Sequence, residues 1–245
     1  MINHKNLDEK NRKVYKKKQV IRQIYKDYYA LILSQIMDDE RHPILEIGSG
    51  GGNIKEVIPQ CVTSDQFKDD KIDLIENIYN LSFKNESVSN IVFLDVFHHL
   101  EFPALALKEI NRVLIKNGRI IMIEPGMGVI PKIIYKIFHV EPLGLKKKIN
   151  WVEIPNSIPG SNDYFAAQSV PWRAFVKKEI DLNDKFKIKL IKPFSDFSYL
   201  CSGGYSYPSF YPFFLYRFMK KIDLILSSIS LKIFSARMLV VLEKK

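Results

Sequence analysis

A glycine-rich turn follows a short apolar run near residue 50. Residues 44–47 read Ile-Leu-Glu-Ile, residues 48–52 read Gly-Ser-Gly-Gly-Gly, and a helix-compatible stretch follows at 53–58. Glycine lets the backbone approach a ligand closely, and the start of a helix offers unpaired N–H groups with a partial positive charge. The arrangement predicts a nucleotide cradle, to which Glu46 adds a carboxylate.

The spacing of the glycines differs from the NAD fingerprint. Gly48, Gly50 and Gly52 form Gly-x-Gly-x-Gly, and Asn53 stands where that fingerprint has its third glycine. Asp65 ends the next apolar run, where a carboxylate can accept hydrogen bonds from both ribose hydroxyls. The alternative for Asp65 is a solvated loop acid.

Another apolar run, 91–95, ends in a carboxylate and is followed by two histidines. Asp95 is expected to face the crevice beyond the strand ends, where open α/β sheets bind ligands, or to cap the stretch after it. An imidazole of His98 or His99 could take a proton from a hydroxyl acceptor near neutral pH, and His99 is the stronger candidate. His139 is a weaker candidate for the same role.

Four blocks occur in the order typical of one family. They are LEIGSGGG at 45–52, NLSF at 80–83, VFLDVFHHL at 92–100 and LKEINRVL at 107–114. The set resembles the class I S-adenosylmethionine-dependent methyltransferases, and closely their type 11 group. The resemblance covers residues 43–124.

The resemblance implies S-adenosylmethionine as the cofactor. The residues that it assigns to cofactor binding are Glu46, Gly48, Ser49, Gly50, Asp65, Asn77, Ile78 and Asp95. The glycines would line the methionine part, Glu46 would hold the turn and the ammonium group, and Asp65 would bind the ribose.

Two positions depart from the family pattern. Asn77 stands where the family often has an aspartate for the adenine amino group, and Ser82 replaces the usual proline. The amide oxygen of Asn77 can still accept that hydrogen bond.

The candidate cofactor-binding residues lie in a region where predicted strands and helices alternate. The predicted strands are 44–47, 61–64, 72–76, 91–95, 119–124, 187–191 and 238–242. The predicted helices are 9–37, 102–115 and 173–181, and a Lys-Asn-Gly sequence at 116–118 is expected to end the second. The alternation predicts an α/β fold with a doubly wound, mostly parallel seven-stranded sheet, an N-terminal helix and two insertions. The resemblance implies that this sheet is the Rossmann-like methyltransferase fold.

The whole chain, 1–245, is interpreted as one domain. Its parts are a helical arm at 1–40, a cofactor-binding core at 43–124, and acceptor-side insertions at 126–172 and 193–236. The basic arm either packs beside the core with a solvated face, or covers the active site or an anionic membrane.

Both insertions are rich in aromatic residues. In the first, residues 162–164 and 171–172 suit a lid, with core packing as the alternative. In the second, the aromatic stretch 205–218 and an apolar helix at 222–234 either pack on the sheet or lie in a membrane interface, with Lys220, Lys221 and Lys232 at the headgroups.

The amino-acid composition indicates which classes of binding partner to expect. The chain has 245 residues, a net charge of +10 and far more lysine than arginine, which favours diffuse attraction to anionic surfaces over base readout, so nucleic acid is not expected. No metal-ligand spacing is evident. Two cysteines, a charged N-terminus and no long apolar run predict a cytoplasmic protein, with peripheral contact at the inner face of the membrane as an option.

The resemblance implies methyl transfer from S-adenosylmethionine to a small-molecule or lipid- or sugar-linked acceptor, and we expect the transfer to be to oxygen. The main alternative is a catalytically inactive relative that serves as a membrane- or partner-binding module. A nicotinamide-dependent reductase is disfavoured, because its Tyr216-x-x-x-Lys220 pair falls too late in the chain and the glycine spacing is wrong.

Overall fold

The computed structural model describes residues 4–139, 141–151, 165–182 and 185–245, with side chains from residue 9 onward. Seven strands form one sheet in the order β3-β2-β1-β4-β5-β7-β6. The strands are β1 (Ile44–Ile47), β2 (Val62–Asp65), β3 (Leu74–Ile75), β4 (Val88–Leu94), β5 (Leu114–Pro125), β6 (Phe186–Ser195) and β7 (Ser235–Lys244). Strands β1 to β5 pair in parallel and β7 runs antiparallel to β5 and β6, so the predicted fold class is confirmed.

Seven helices accompany the sheet in the described part of the chain. They are α1 (His4–Lys17), α2 (Gln19–Leu33), α3 (Pro103–Val113), α4 (Val129–Phe138), α5 (Phe197–Cys201), α6 (Tyr216–Ile229) and α7 (Leu231–Phe234). None of the described helices is long and apolar enough to cross a membrane.

The prediction of one helix over 9–37 is wrong. The chain leaves the helical conformation at Lys18, whose φ of −99° and ψ of 91° are extended, and α2 ends at Leu33. The Lys18 ammonium donates to the carbonyl oxygens of Gly204, at 2.7 Å, and Tyr207, at 2.8 Å. The break is therefore accompanied by contacts to a distant loop, which a helical periodicity does not reveal.

The predicted helix end at 116–118 is also wrong. Helix α3 ends at Val113, and Leu114 already pairs with Val88 of β4. Asn117 adopts a φ of 62° inside β5. The same residue types suit a helix C-terminus and a bulge in a strand, because both need a left-handed backbone.

Other boundaries shift in the same way. The strand predicted at 72–76 is only the two-residue edge strand β3, and the helix at 173–181 is a five-residue π-helical turn, Trp172–Val176. The stretch at 53–58 is a short 3₁₀ turn, Asn53–Glu56, and the helix at 222–234 divides into α6 and α7.

Strand β4 shows why the sheet is buried on both faces. Ile91 and Phe93 belong to a core cluster with α3, while Val92 and Leu94 belong to a second cluster with α2. Successive side chains of a strand point to opposite faces, so helices on both sides cover the sheet. The strand ends remain as the place where polar side chains gather.

Candidate functional site

The glycine turn follows β1 with three left-handed glycines. The φ angles of Gly48, Gly50 and Gly52 are 72°, 53° and 67°. A Cβ on Gly48 would lie 2.6 Å from Val96 Cγ2, and one on Gly52 would lie 2.5 Å from the Lys71 carbonyl oxygen. A Cβ on Gly50 would meet nothing within 4 Å. Close packing thus requires the outer two glycines, while the middle one borders open space.

Asp65 lies against this turn. Its Oδ2 accepts a hydrogen bond from the Gly50 N–H at 3.0 Å, and the Ser49 N–H donates to the Ser64 carbonyl at 2.9 Å. Strand β2 therefore brings the Asp65 carboxylate to the glycines, as the sequence spacing requires. The alternative of a merely solvated loop acid does not describe this position.

Glu46 is a buried carboxylate beneath the turn. Its side chain is 1% exposed, and its Oε2 has no hydrogen-bond partner. Burial raises the pKa of Glu46 to about 7, although hydrogen bonds from Ser49 and Tyr29 act against the rise. A buried acceptor without a donor fits a ligand that carries an ammonium group.

The loop after β3 contains Asn77 and Ile78. The Asn77 Oδ1 accepts the Tyr79 N–H at 3.0 Å, and Ile78 is buried. Ser82 donates both its N–H, at 2.9 Å, and its hydroxyl to the buried Glu76 carboxylate. A proline at 82 would offer neither donor, so the serine holds this loop in a different way from the family pattern.

Asp95 has a φ of 59°, and its carboxylate forms an ion pair with Arg237 at the start of β7. It does not cap the following turn. The Glu124 Oε1 accepts the N–H groups of Val96, at 2.9 Å, and Phe97, at 2.6 Å, so the capping alternative for Asp95 is wrong.

Arg237 is buried among acidic and aromatic groups. Its guanidinium lies 4.5 Å from the Tyr199 ring centroid and 5.5 Å from that of Tyr28, and its Nε lies 3.7 Å from Asp196 Oδ2. Burial opposes the charged form, but the charges around it, Asp95 foremost, raise the pKa of Arg237. The guanidinium therefore stays charged inside the protein.

His98 lies between two carboxylates. Its Nδ1 is 2.7 Å from Glu124 Oε2, and its Nε2 is 3.3 Å from Glu141 Oε2. Burial lowers the pKa of His98, but the hydrogen bonds and charges of the two glutamates outweigh it and raise the pKa to about 10. A protonated imidazole has no lone pair to accept a proton at neutral pH.

His99, in contrast, is neutral at pH 7. Its Nδ1 lies 3.0 Å from the Phe165 carbonyl oxygen, which can only accept, so the neutral ring carries its proton there. Burial and the charge of His98 lower the pKa of His99 to about 4. Its Nε2, 3.6 Å from Glu141 Oε1, is the basic nitrogen of the pair at neutral pH.

Three residues of this candidate site, Glu124, Glu141 and Arg237, were not predicted from the sequence. Glu124 is the next-to-last residue of β5, so its position near a strand end was a usable signal, whereas Glu141 and Arg237 had none. His98, His99 and Glu141 place ligand atoms within 4.8 Å of one another, although no metal-ligand spacing is evident in the sequence. The contacts of His98 with Glu124 and Glu141 bring these groups together.

The first insertion is described in part. Residues 162–164, predicted to belong to a lid, lie outside the described residues. Trp151 and Trp172 are partly buried against the core, as the core-packing alternative expects. His139 Nδ1 lies 3.9 Å from Glu141 Oε2, at the edge of the histidine cluster.

The chain is similar to known proteins in the sequence of its cofactor-binding core and in its overall fold. A family model described as "Methyltransferase domain" matches residues 45–122. No curated protein matches the sequence. A methyltransferase structure from Thermotoga maritima, described as S-adenosylmethionine-dependent and a possible histamine N-methyltransferase, is 14% identical with a TM-score of 0.54, covering 96% of this chain and 94% of that one.

A second solved structure is similar. It is an S-adenosylmethionine-dependent methyltransferase from Archaeoglobus fulgidus, 13% identical with a TM-score of 0.52, covering 94% of this chain and 97% of that one. At such identities the likeness concerns the fold. Together with the family model, it identifies residues 45–122 as a type 11 methyltransferase domain of the class I fold, with S-adenosylmethionine as its cofactor.

Proposed function

We propose that the protein transfers a methyl group from S-adenosylmethionine to an oxygen atom of a small-molecule or lipid- or sugar-linked acceptor. One observation carries the cofactor part of this proposal: the unpartnered Oε2 of buried Glu46, whose side chain bonds to Ser49 in the glycine turn. The ammonium of a bound methionine moiety would give that oxygen a donor and a compensating charge.

The remaining cofactor contacts follow from the strand ends. Gly48, Ser49 and Gly50 would line the methionine part, and Asp65, already held on the turn, would accept hydrogen bonds from the ribose hydroxyls. Asn77 and Ile78 would contact the adenine, and Asp95 would complete the site from β4.

The cofactor, when bound, supplies a methyl carbon already activated by a sulfonium. The protein must then align the acceptor, exclude water and manage one proton. His99 can accept a hydroxyl proton at Nε2, while protonated His98 cannot. Because the pKa of His99 is about 4, proton transfer has to accompany carbon–oxygen bond formation rather than precede it.

Aromatic hydroxyl groups support a polar acceptor. The Tyr25 and Tyr205 rings lie 5.5 Å apart, and Tyr199 stacks on Arg237, which pairs with Asp95. Flat rings with hydrogen-bonding tips suit sugar or headgroup hydroxyls. The inactive-module alternative rests on the two departures from the family pattern, Asn77 and Ser82. Because Ser82 holds its loop through hydrogen bonds to Glu76, the loss of the proline is no argument for an inactive protein.

Titration calorimetry with S-adenosylhomocysteine, followed by radiolabelled methyl transfer to hydroxylated acceptors, tests the proposal. Absence of binding at millimolar ligand would overturn it. His99→Gln should lower kcat by about 10²- to 10⁴-fold and leave the S-adenosylhomocysteine Kd unchanged. His139→Gln is the matched control, and a kcat unaffected by His99→Gln would refute the assigned base.

A further inference from the structure

A continuous apolar surface is formed by parts of both insertions. It consists of α4, residues 207–215, α6 and α7, and is called the apolar surface below. Helix α7 contacts both α4 and α6, and the Phe138 ring of α4 lies 6.4 Å from the Tyr207 ring. The aromatic stretch does not pack wholly on the sheet, since Phe210 and Phe214 are 83% and 80% exposed.

Helix α6 presents its apolar side outward because a polar residue fixes its inner side. Asp223 is buried and accepts the Ser198 hydroxyl at 2.6 Å and the Ser198 N–H at 3.3 Å. Phe218, Ile225 and Ile229 lie on the opposite side and are all exposed. Rotating the helix to cover them would expose Asp223 and break its hydrogen bonds.

Helix α4 has the same arrangement. Tyr135 is buried and donates its hydroxyl to the Ala236 carbonyl at 2.6 Å. Val129, Ile133 and Ile137, spaced four residues apart, form an exposed row along the other side. Two independent helices thus place apolar rows on one surface, which exceeds the scattered exposure that single apolar residues show.

The charges on this surface have one sign. Among the described residues, no carboxylate pairs with the five cations that flank the apolar rows: Lys132, Lys136, Arg217, Lys221 and Lys232. The only acidic residue in these elements is the buried Asp223. A second copy of the chain is a poor occupant, because a symmetric dimer would bring the same cations together.

We propose that the apolar surface docks on an anionic lipid bilayer. Helices α4 and α6 would lie in the plane of the interface, with apolar rows among the acyl chains and lysines at the phosphates. The long lysine side chains can reach the headgroups while their stems cover apolar surface. The proposal concerns a surface and does not depend on the chemistry of the proposed function.

Vesicle flotation of the full chain tests it, with phosphatidylcholine vesicles that contain or lack phosphatidylglycerol. The protein should float with the anionic vesicles at least about tenfold more strongly, and added salt should weaken the binding. The double variant Phe218→Gln/Ile225→Gln should lose about tenfold or more of the partitioning. Glutamine keeps the helix propensity while it removes apolar area.

The matched control is Leu33→Gln/Val176→Gln. These residues are 43% and 42% exposed, comparable with 58% and 57% at the test positions, and lie outside the apolar surface. The control should float like the native protein, and circular dichroism should show the same fold for both variants. The proposal would be overturned if the protein did not float, if it bound neutral vesicles equally well, or if the double variant floated like the native protein. It would also be overturned if light scattering showed a dimer that is absent in the double variant.

Discussion

The buried Glu46 carboxylate should make cofactor affinity depend on pH. Burial raises its pKa from 4.5 to about 7, so near neutral pH the group is partly protonated before the ligand binds. An ammonium beside its unpartnered Oε2 favours the ionised form. Binding therefore requires Glu46 to lose its proton, and affinity must rise as the pH rises through the pKa of the free protein.

The size of the effect follows from the pKa. The rise from 4.5 to about 7 corresponds to about 3 kcal/mol of penalty on the charged form, which the ligand ammonium offsets in the complex. If the pKa of Glu46 in the complex lies well below pH 6, the Kd should fall about tenfold between pH 6 and pH 8. Near pH 7, binding should release about half a proton.

Calorimetry measures both quantities. S-adenosylhomocysteine is titrated at several pH values in buffers of different ionisation enthalpy, so that the heat of proton release separates from the heat of binding. His98 and His99 have pKa values of about 10 and 4, so neither titrates between pH 6 and pH 8. Tyr29, which contacts Glu46, has a raised pKa and stays neutral there.

Glu46→Gln is the decisive variant. The amide has nearly the same shape but no charge, so it should bind the ligand more weakly at pH 8 and show no slope between pH 6 and pH 8. A native Kd that does not change across this range would refute the reasoning. So would a Gln variant that retains the slope, because another group would then be responsible.

Three further outcomes are expected. Gly50→Ala should cost only about 1–2 kcal/mol of stability, since its φ is 53° but no atom lies near, while the S-adenosylhomocysteine Kd should rise at least about tenfold. The free energy of unfolding should fall as pH rises from 6.5 through about 10, because the raised pKa of His98 stabilises the fold below this range, and His98→Gln should flatten that decline in urea titrations. Arg237→Lys should lower the melting temperature and Arg237→Met should cost about 3–5 kcal/mol, because Asp95 then keeps an unpaired charge.

The sheet was predictable because strands buried on both faces appear in the sequence as short apolar runs. The ends of the helices were harder to predict. The break at Lys18 involves carbonyl groups nearly two hundred residues away, and the Asn117 bulge uses the same left-handed residue types as a helix end. In both cases the competing structures share local chemistry, and only a tertiary contact decides between them.

The proximity of some candidate site residues was predictable for a topological reason. Glu46, Asp65 and Asp95 lie within one residue of the carboxyl ends of parallel strands, which meet at one edge of the sheet. Arg237 reaches the same edge because β7 is antiparallel, so its first residues lie beside the last residues of β5. Once the sheet order is known, the start of an antiparallel strand is therefore a place to search for site residues.

The charge states of the two adjacent histidines could not be predicted from the sequence. His98 and His99 are identical side chains on one short turn, with rings 4.1 Å apart, yet one is protonated and the other neutral at pH 7. The difference arises from Glu124 and Glu141, which both contact His98, and from the charge that His98 then imposes on His99. The positive ring and the basic ring depend on each other, so removing the His98 charge should raise the pKa of His99 and strengthen it as a base. The order of the two histidines as candidates therefore rests on contacts made by residues 26 and more positions away.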